Sequence, residues 1–338
     1  MKKYIVFALV IGFTTISLLA QSAPRRRQMG NDSPRGNRRN GNDSAANNNG
    51  SFVTGKNRFT TQVNGDVREY YVHVPKSYSK STPVPVVFML HGTSGDGEKF
   101  YNISGWKEVG EAENILTVYP SSWHYCIIED GQRHNTTKWN IYPSNFEYCP
   151  GEVPKDDIQF LNQVIDEMTQ RFSVNQKRIY VVGFSNGGQM AARVGVEMSD
   201  RVAAVVSSAG LLRPGTVHTP KRLLPNLIQV GTDDDRFTKA FGGSPAPMNF
   251  DQLFAISPYM KGVLGTYQKT YKLDSHYTTS GNPNTIIWLD AKGVSGDPNN
   301  VFRFALIKDM GHVYPNGKNF PLEGAKMNWQ WLKQYKLP

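Results

Sequence analysis

The run Gly183-Phe184-Ser185-Asn186-Gly187-Gly188 fits the pattern G-x-S-x-G, with an apolar stretch before it and a helical pattern after it. In that setting the letters predict chemistry. A strand turning sharply into a helix presents a serine hydroxyl at the carboxyl edge of a sheet. The free amides and positive dipole end of the new helix then face any negative charge that develops nearby. The chemistry implied is nucleophilic attack by Ser185 on a carbonyl. Outside that setting the same run is only a glycine-rich turn.

A serine hydroxyl is a weak nucleophile. It needs a base, and the base needs an acid to orient it. After an elbow of this kind the chain order is acid, then histidine. Of the seven histidines, His218, His276 and His312 follow Ser185. His312 lies between the last predicted strand and the closing helix and is the candidate base. His218 sits in a proline-flanked loop and is expected at the surface. Asp233, Asp234 and Asp235 follow a predicted strand at 227–230, and the residues themselves leave the choice of acid among them open. A run of aspartates can bind metal, but no EF-hand spacing or partner histidine accompanies this one, and neither a metal nor an organic cofactor is expected. Two backbone amides must hold an oxyanion. Asn186 is one candidate. Thr93 is the other, with Ser94 as the alternative in the same loop. His91, which precedes Ser185 in the chain, is expected to be a scaffold residue of that loop rather than the base.

The elements that must position these residues are legible as alternating strands and helices. Residues 59–63 and 67–74, joined by Asn64-Gly65, predict a hairpin. Continuous apolar runs at 84–90, 115–119, 178–182, 202–206 and 227–230 predict strands covered on both faces. Helical periodicity is found at 157–172, where Asp156 and Asp157 both suit the N-terminus, at 186–198, and less cleanly at 251–271, which contains Pro258 and Gly262. Two late strands, 285–289 and 302–307, and a helix at 322–335 complete the series. Strands alternating with helices predict an α/β fold with a mainly parallel sheet and helices on both faces.

The chain has 338 residues and a formal charge of +10. Residues 1–22 are expected to be a signal peptide: Lys2 and Lys3 precede an apolar run too short and too interrupted for a retained anchor, and small residues follow it. Residues 23–52 carry six arginines against two aspartates, a net +4, among Asn, Gly and Ser. They are expected to be a flexible leader, serving either as a solubilising linker or as a contact for an anionic surface. Residues 53–338 then form the catalytic domain. It keeps +4 once the leader and the two signal lysines are set aside, which gives no case for nucleic-acid binding. The mature chain is expected to be secreted, without stable membrane association; its oligomeric state is open. In an exported protein Cys126 and Cys149 are expected to pair rather than remain thiols. They bracket the loop containing Trp139, in an insertion that also holds Trp123, Tyr125 and Tyr142. Trp139 and Trp123 are candidate stacking platforms for substrate; the alternative is ordinary packing.

Taken together these residues resemble the secreted α/β-hydrolase esterases that include polyhydroxybutyrate depolymerases and feruloyl esterases. The resemblance rests on Leu90-His91-Gly92, residues 156–161, residues 178–188, Gly231-Thr232-Asp233-Asp234 and Gly311-His312-Val313-Tyr314-Pro315, and spans residues 68–338. It implies an α/β-hydrolase domain and, through the Gly-Thr-x-Asp pattern, places the acid on Asp234. It also shows departures. Val230 stands where members usually carry histidine, Tyr314 where they often carry tryptophan, and Lys138 where depolymerase-like members often carry cysteine. The implied activity is a Ser-His-Asp ester hydrolase of the feruloyl esterase kind, acting on plant-wall polysaccharide esters or small aryl esters. A polyester depolymerase shares that mechanism. A serine peptidase would need a substrate-selecting domain that the sequence does not display. A non-catalytic carbohydrate-binding protein would not need Ser185, Asp234 and His312 together.

Overall fold

The first two strands pair as the Asn-Gly signal predicts. In the computed structural model, which describes residues 52–142, 146–239 and 242–338, β1 (Gly55–Val63) and β2 (Asp66–Val74) form an antiparallel hairpin. Asn64 and Gly65 lie between them at φ of 51° and 86°, the positive values of a tight primed turn. The expected signal segment 1–22, and the leader 23–52 except for Phe52, lie outside the described residues.

The chain continues through β3 (Val84–Leu90), α1 (Gly97–Ile103), α2 (Trp106–Glu113) and β4 (Leu116–Pro120). An insertion supplies β5 (Trp123–Glu129), β6 (Gln132–Lys138) and β7 (Glu147–Tyr148). The alternation then resumes with α3 (Asp157–Arg171), β8 (Val174–Phe184), α4 (Asn186–Glu197), β9 (Ala204–Ser208) and β10 (Asn226–Gly231). It closes with α5 (Asp235–Thr238), α6 (Phe250–Ile256), α7 (Pro258–Tyr271), β11 (Thr278–Asn282), β12 (Ile286–Lys292), β13 (Val301–Ile307) and α8 (Gly324–Leu332).

Among the described residues the main sheet has ten strands in the order β1-β2-β4-β3-β8-β9-β10-β13-β12-β11. From β4 to β13 every neighbouring pair is parallel, and an antiparallel pair extends each edge. The apolar runs make physical sense in that setting, because a strand with helices on both faces must be apolar at every position. Val86, Phe88 and Leu90 of β3 join one core with Ile179 and Val181 of β8, beneath α3, α4 and α7. Val87 and Met89 join the other, with Tyr180 and Val182, beneath α1, α2 and α8. No helix among the described residues is long and apolar enough to cross a membrane.

Three local differences from the sequence reading have clear causes. The stretch 251–271 is two helices rather than one. Ser257 is extended at the break, its Oγ accepts from the Met260 amide, and Pro258 occupies the first turn of α7, where an amide would have no helical partner. At the start of α3 only Asp156 caps, accepting from the Gln159 amide at 2.9 Å. Asp157 turns inward, fully buried, and pairs with Arg68 at 2.7 Å. The insertion forms a second, three-stranded sheet in the order β6-β5-β7. The Cys126–Cys149 disulfide ties β5 to the residue after β7.

Candidate active site

Four parallel strands deliver the candidate residues at their carboxyl ends, where open α/β sheets build their sites. Ser185 follows β8. Its backbone sits at φ 55°, ψ −121°, a left-handed conformation that a non-glycine residue adopts only where its surroundings enforce it. The enforcement is visible. The Ser185 amide donates to the Ser208 carbonyl at the end of β9, and the Ser185 carbonyl receives the Gln189 amide as the first bond of α4. A Cβ on Gly183 would collide with the Gly187 carbonyl, and one on Gly187 would collide with the carbonyls of Leu90 and His91. Both glycines of the motif are therefore required by close backbone approach.

His312 lies in the loop after β13. Its Nε2 is 2.9 Å from Ser185 Oγ, and its Nδ1 is 2.8 Å from Asp234 Oδ2. Asp234 follows β10, is fully buried, and also accepts the Arg236 amide at Oδ1. Asp233 and Asp235 are exposed, and Asp233 accepts instead from the Thr232 hydroxyl. Of the three aspartates, Asp234 reaches the histidine. Among the described residues the grouping with metal-ligand spacing is Asp234, Asp235 and His312. Both His312 nitrogens in that group are engaged within the relay.

Beside Ser185 opens a cleft of about 420 Å³ whose wall includes Gly92, Thr93 and Asn186. Asn186 is the first residue of α4, so its amide has no partner within the helix. Thr93 lines the same cleft. The alternative donor, Ser94, is excluded: its amide donates to the Thr137 carbonyl of β6 at 3.0 Å.

The expectation that Trp139 and Trp123 form stacking platforms is not met. Trp139 is fully buried. Its indole N–H donates to the His91 carbonyl at 2.9 Å and its amide donates to Asn186 Oδ1 at 2.6 Å. Trp123 does not line the cleft; Lys155 and Arg68 lie over its ring. Trp139 thus locks the loop after β3 to the start of α4. A Trp139→Phe variant keeps most of the packing but orphans the buried His91 carbonyl. It is expected to lose about 1–3 kcal/mol of stability, measured by urea unfolding. His218, expected at the surface, is half-buried with its ring stacked on Tyr142.

Sequence reasoning missed the aromatic lining. Phe184, Phe146, Phe237 and Tyr259 face the cleft, and Phe184 packs on the His312 ring with centroids 5.0 Å apart. Phe184 is the variable position of the elbow motif, and Phe237 lies one helical turn after Asp234. Both positions carried a signal in their distance from a chemical residue rather than in any periodicity.

His91, which precedes Ser185 in the chain, is built into the scaffold. It is fully buried. Nδ1 lies 2.7 Å from the Gly92 carbonyl and Nε2 receives the Ser122 amide at 2.9 Å. That pattern suits a neutral ring protonated at Nδ1, and burial pushes its pKa down to about 4. The unfolded chain takes up this proton near pH 6.5, before the native state does. The contribution of His91 to stability is therefore whole above pH 6.5 and is lost as pH falls through about 4. The total is about 3 kcal/mol. Thermal melts between pH 7 and 4 are expected to fall less steeply for His91→Gln than for the parent.

A family model described as "Putative esterase" matches residues 61–263. The "Putative esterase NocK" of Nocardia uniformis subsp. tsuyamanensis is 30% identical over 187 residues, 55% of this chain and 50% of that protein. Feruloyl esterase B of Piromyces equi is 24% identical over 284 residues, 80% of this chain and 46% of that protein. The chain thus spans about half the length of these two relatives. Among solved structures, an acetyl xylan esterase from Aspergillus awamori superposes with a TM-score of 0.52 at 13% identity, covering 79% of this chain and 94% of that one.

Proposed function

The chain belongs to this esterase family and has the α/β-hydrolase fold, and from that premise we propose that it is a serine carboxylic-ester hydrolase working through an acyl-enzyme. The observation that carries the reading is the unbroken relay from buried Asp234 through His312 to Ser185 at the mouth of a cleft. Ser185 Oγ attacks the ester carbonyl as His312 Nε2 takes its proton. Asp234 accepts from Nδ1–H and holds the ring for that transfer. The amides of Asn186 and Thr93 receive the oxyanion. Collapse of the tetrahedral intermediate expels the alcohol, which takes the proton from His312. Water then attacks the acyl group by the same route and releases the acid.

For the substrate we infer a feruloyl-type or related aryl ester of the plant cell wall, met outside the cell after export by residues 1–22. The aromatic lining of the cleft and the likeness to a protein named feruloyl esterase B support this. Ferulate release from methyl ferulate and from feruloylated arabinoxylan tests it, with polyhydroxybutyrate film as the comparison. Ferulate release with an intact film supports the reading. Erosion of the film without ferulate release would replace it with a polyester substrate.

A further inference from the structure

We propose that this cleft selects esters that also carry a carboxylate, held by Lys138 and Arg236. The proposal rests on the ester-hydrolase reading of the same site and names its substrate class. Lys138 is the last residue of β6 and lines the cleft, although the residue is only 5% exposed. A lysine is rarely held so deep without a partner. Its ammonium has three donors. One bonds Glu129 Oε1 at 3.0 Å, and the Phe146 ring lies 4.4 Å away. Glu129 is a partner open to water, with a side chain 60% exposed. Arg236 lines the same cleft, its side chain open to solvent. The carboxylate paired with it, Asp235, is 3.8 Å from Nε.

Apart from the relay, the charged residues of the cleft wall are therefore two cations against one solvent-exposed anion. Glu129 also marks where an anion sits well. The Lys138 ammonium beside it, with His134 and Arg236 further off, holds its carboxyl below the usual range. A substrate carboxylate would take the place of Glu129, which can swing into water. Arg236 would meet it with its planar fork, which matches a carboxylate at two points. The aromatic wall of Phe146, Phe237 and Tyr259 remains for the rest of the molecule.

The test compares esters in pairs that differ by one charge. 4-Nitrophenyl butyrate against the 4-nitrophenyl hemiester of glutaric acid places the charge in the acyl part. Phenyl acetate against 4-acetoxybenzoate places it in the alcohol part. Each kcat/KM is divided by the alkaline hydrolysis rate of the same ester, and the anionic-to-neutral ratio is read, so that a general loss of activity cancels. In the parent, one pair is expected to favour the anion by about 10-fold at low salt and less at high salt. Arg236→Gln is expected to cut that ratio about 5-fold, Lys138→Met to cut it by 10-fold or more, and Glu129→Gln to raise it. A ratio at or below one in both pairs overturns the proposal. So does a ratio that neither Arg236→Gln nor Glu129→Gln moves, whatever becomes of the less exposed Lys138 variant. If the neutral esters are hydrolysed and only the preference fails, the ester-hydrolase reading stands. If no ester is hydrolysed, both fall.

Discussion

Replacing Ser185 by alanine is expected to lower kcat for ester hydrolysis by on the order of 10⁴- to 10⁶-fold and to abolish labelling by a fluorophosphonate probe, while substrate still binds. The size follows from what the hydroxyl does. Without it there is no covalent intermediate, and the relay has no proton to move; only the oxyanion donors and the cleft remain, worth about 10³- to 10⁴-fold over water. The backbone of the variant should hold. The bonds that fix residue 185 at φ 55° come from its main chain to Ser208 and Gln189, not from the hydroxyl. Thermal melting beside the kinetics checks that point. A variant that keeps most of its activity with an intact fold would remove Ser185 from the mechanism.

Asp234→Asn is expected to lower kcat by roughly 10⁴-fold, whereas Asp233→Asn and Asp235→Asn should each stay within about 3-fold, as exposed substitutions usually do. The contrast is decisive because the three residues are adjacent and identical in type. Asp234 alone is fully buried with an oxygen 2.8 Å from His312 Nδ1. Asparagine fills the same space and can still accept the Arg236 amide, but its N–H₂ can favour the ring tautomer that places the proton on Nε2, where it blocks abstraction from Ser185. A large loss in either neighbouring variant, with Asp234→Asn near parental activity, would move the acid.

The sequence displayed those parts of the molecule whose physics is local. Strands covered on both faces are mostly apolar, so β3, β4, β8, β9 and β10 stood out as runs. Asn64-Gly65 marked its turn, and the elbow marked Ser185. The acid was different. Three adjacent aspartates share one composition, so the residues left the choice open and only the Gly-Thr-x-Asp resemblance pointed to Asp234; the physical distinction is burial, which depends on where β10 meets β13. The small sheet was silent for another reason. β6 is exposed along most of its length, so QRHNTTK carries no alternation of polar and apolar residues. β11, with every residue exposed, hides likewise. Trp139 misled because an indole in an insertion looks the same whether it faces substrate or clamps a loop. The distinction lies in Asn186 and His91, 47 and 48 residues away.

The loops that carry Asp234 and His312 are joined by more than the contact between those two side chains. The Thr232 amide donates to the Ile307 carbonyl, the Asp233 amide to the Met310 carbonyl, and the Asp309 amide to the Thr232 hydroxyl. Lacing of this kind, two bonds between main chains and one through the Thr232 hydroxyl, makes the two loops one cooperative unit. Their protons should exchange with solvent deuterium together, at a single opening free energy. Loosening either loop would disengage acid and base in the same event, so the relay fails by opening as a piece rather than by fraying one member at a time.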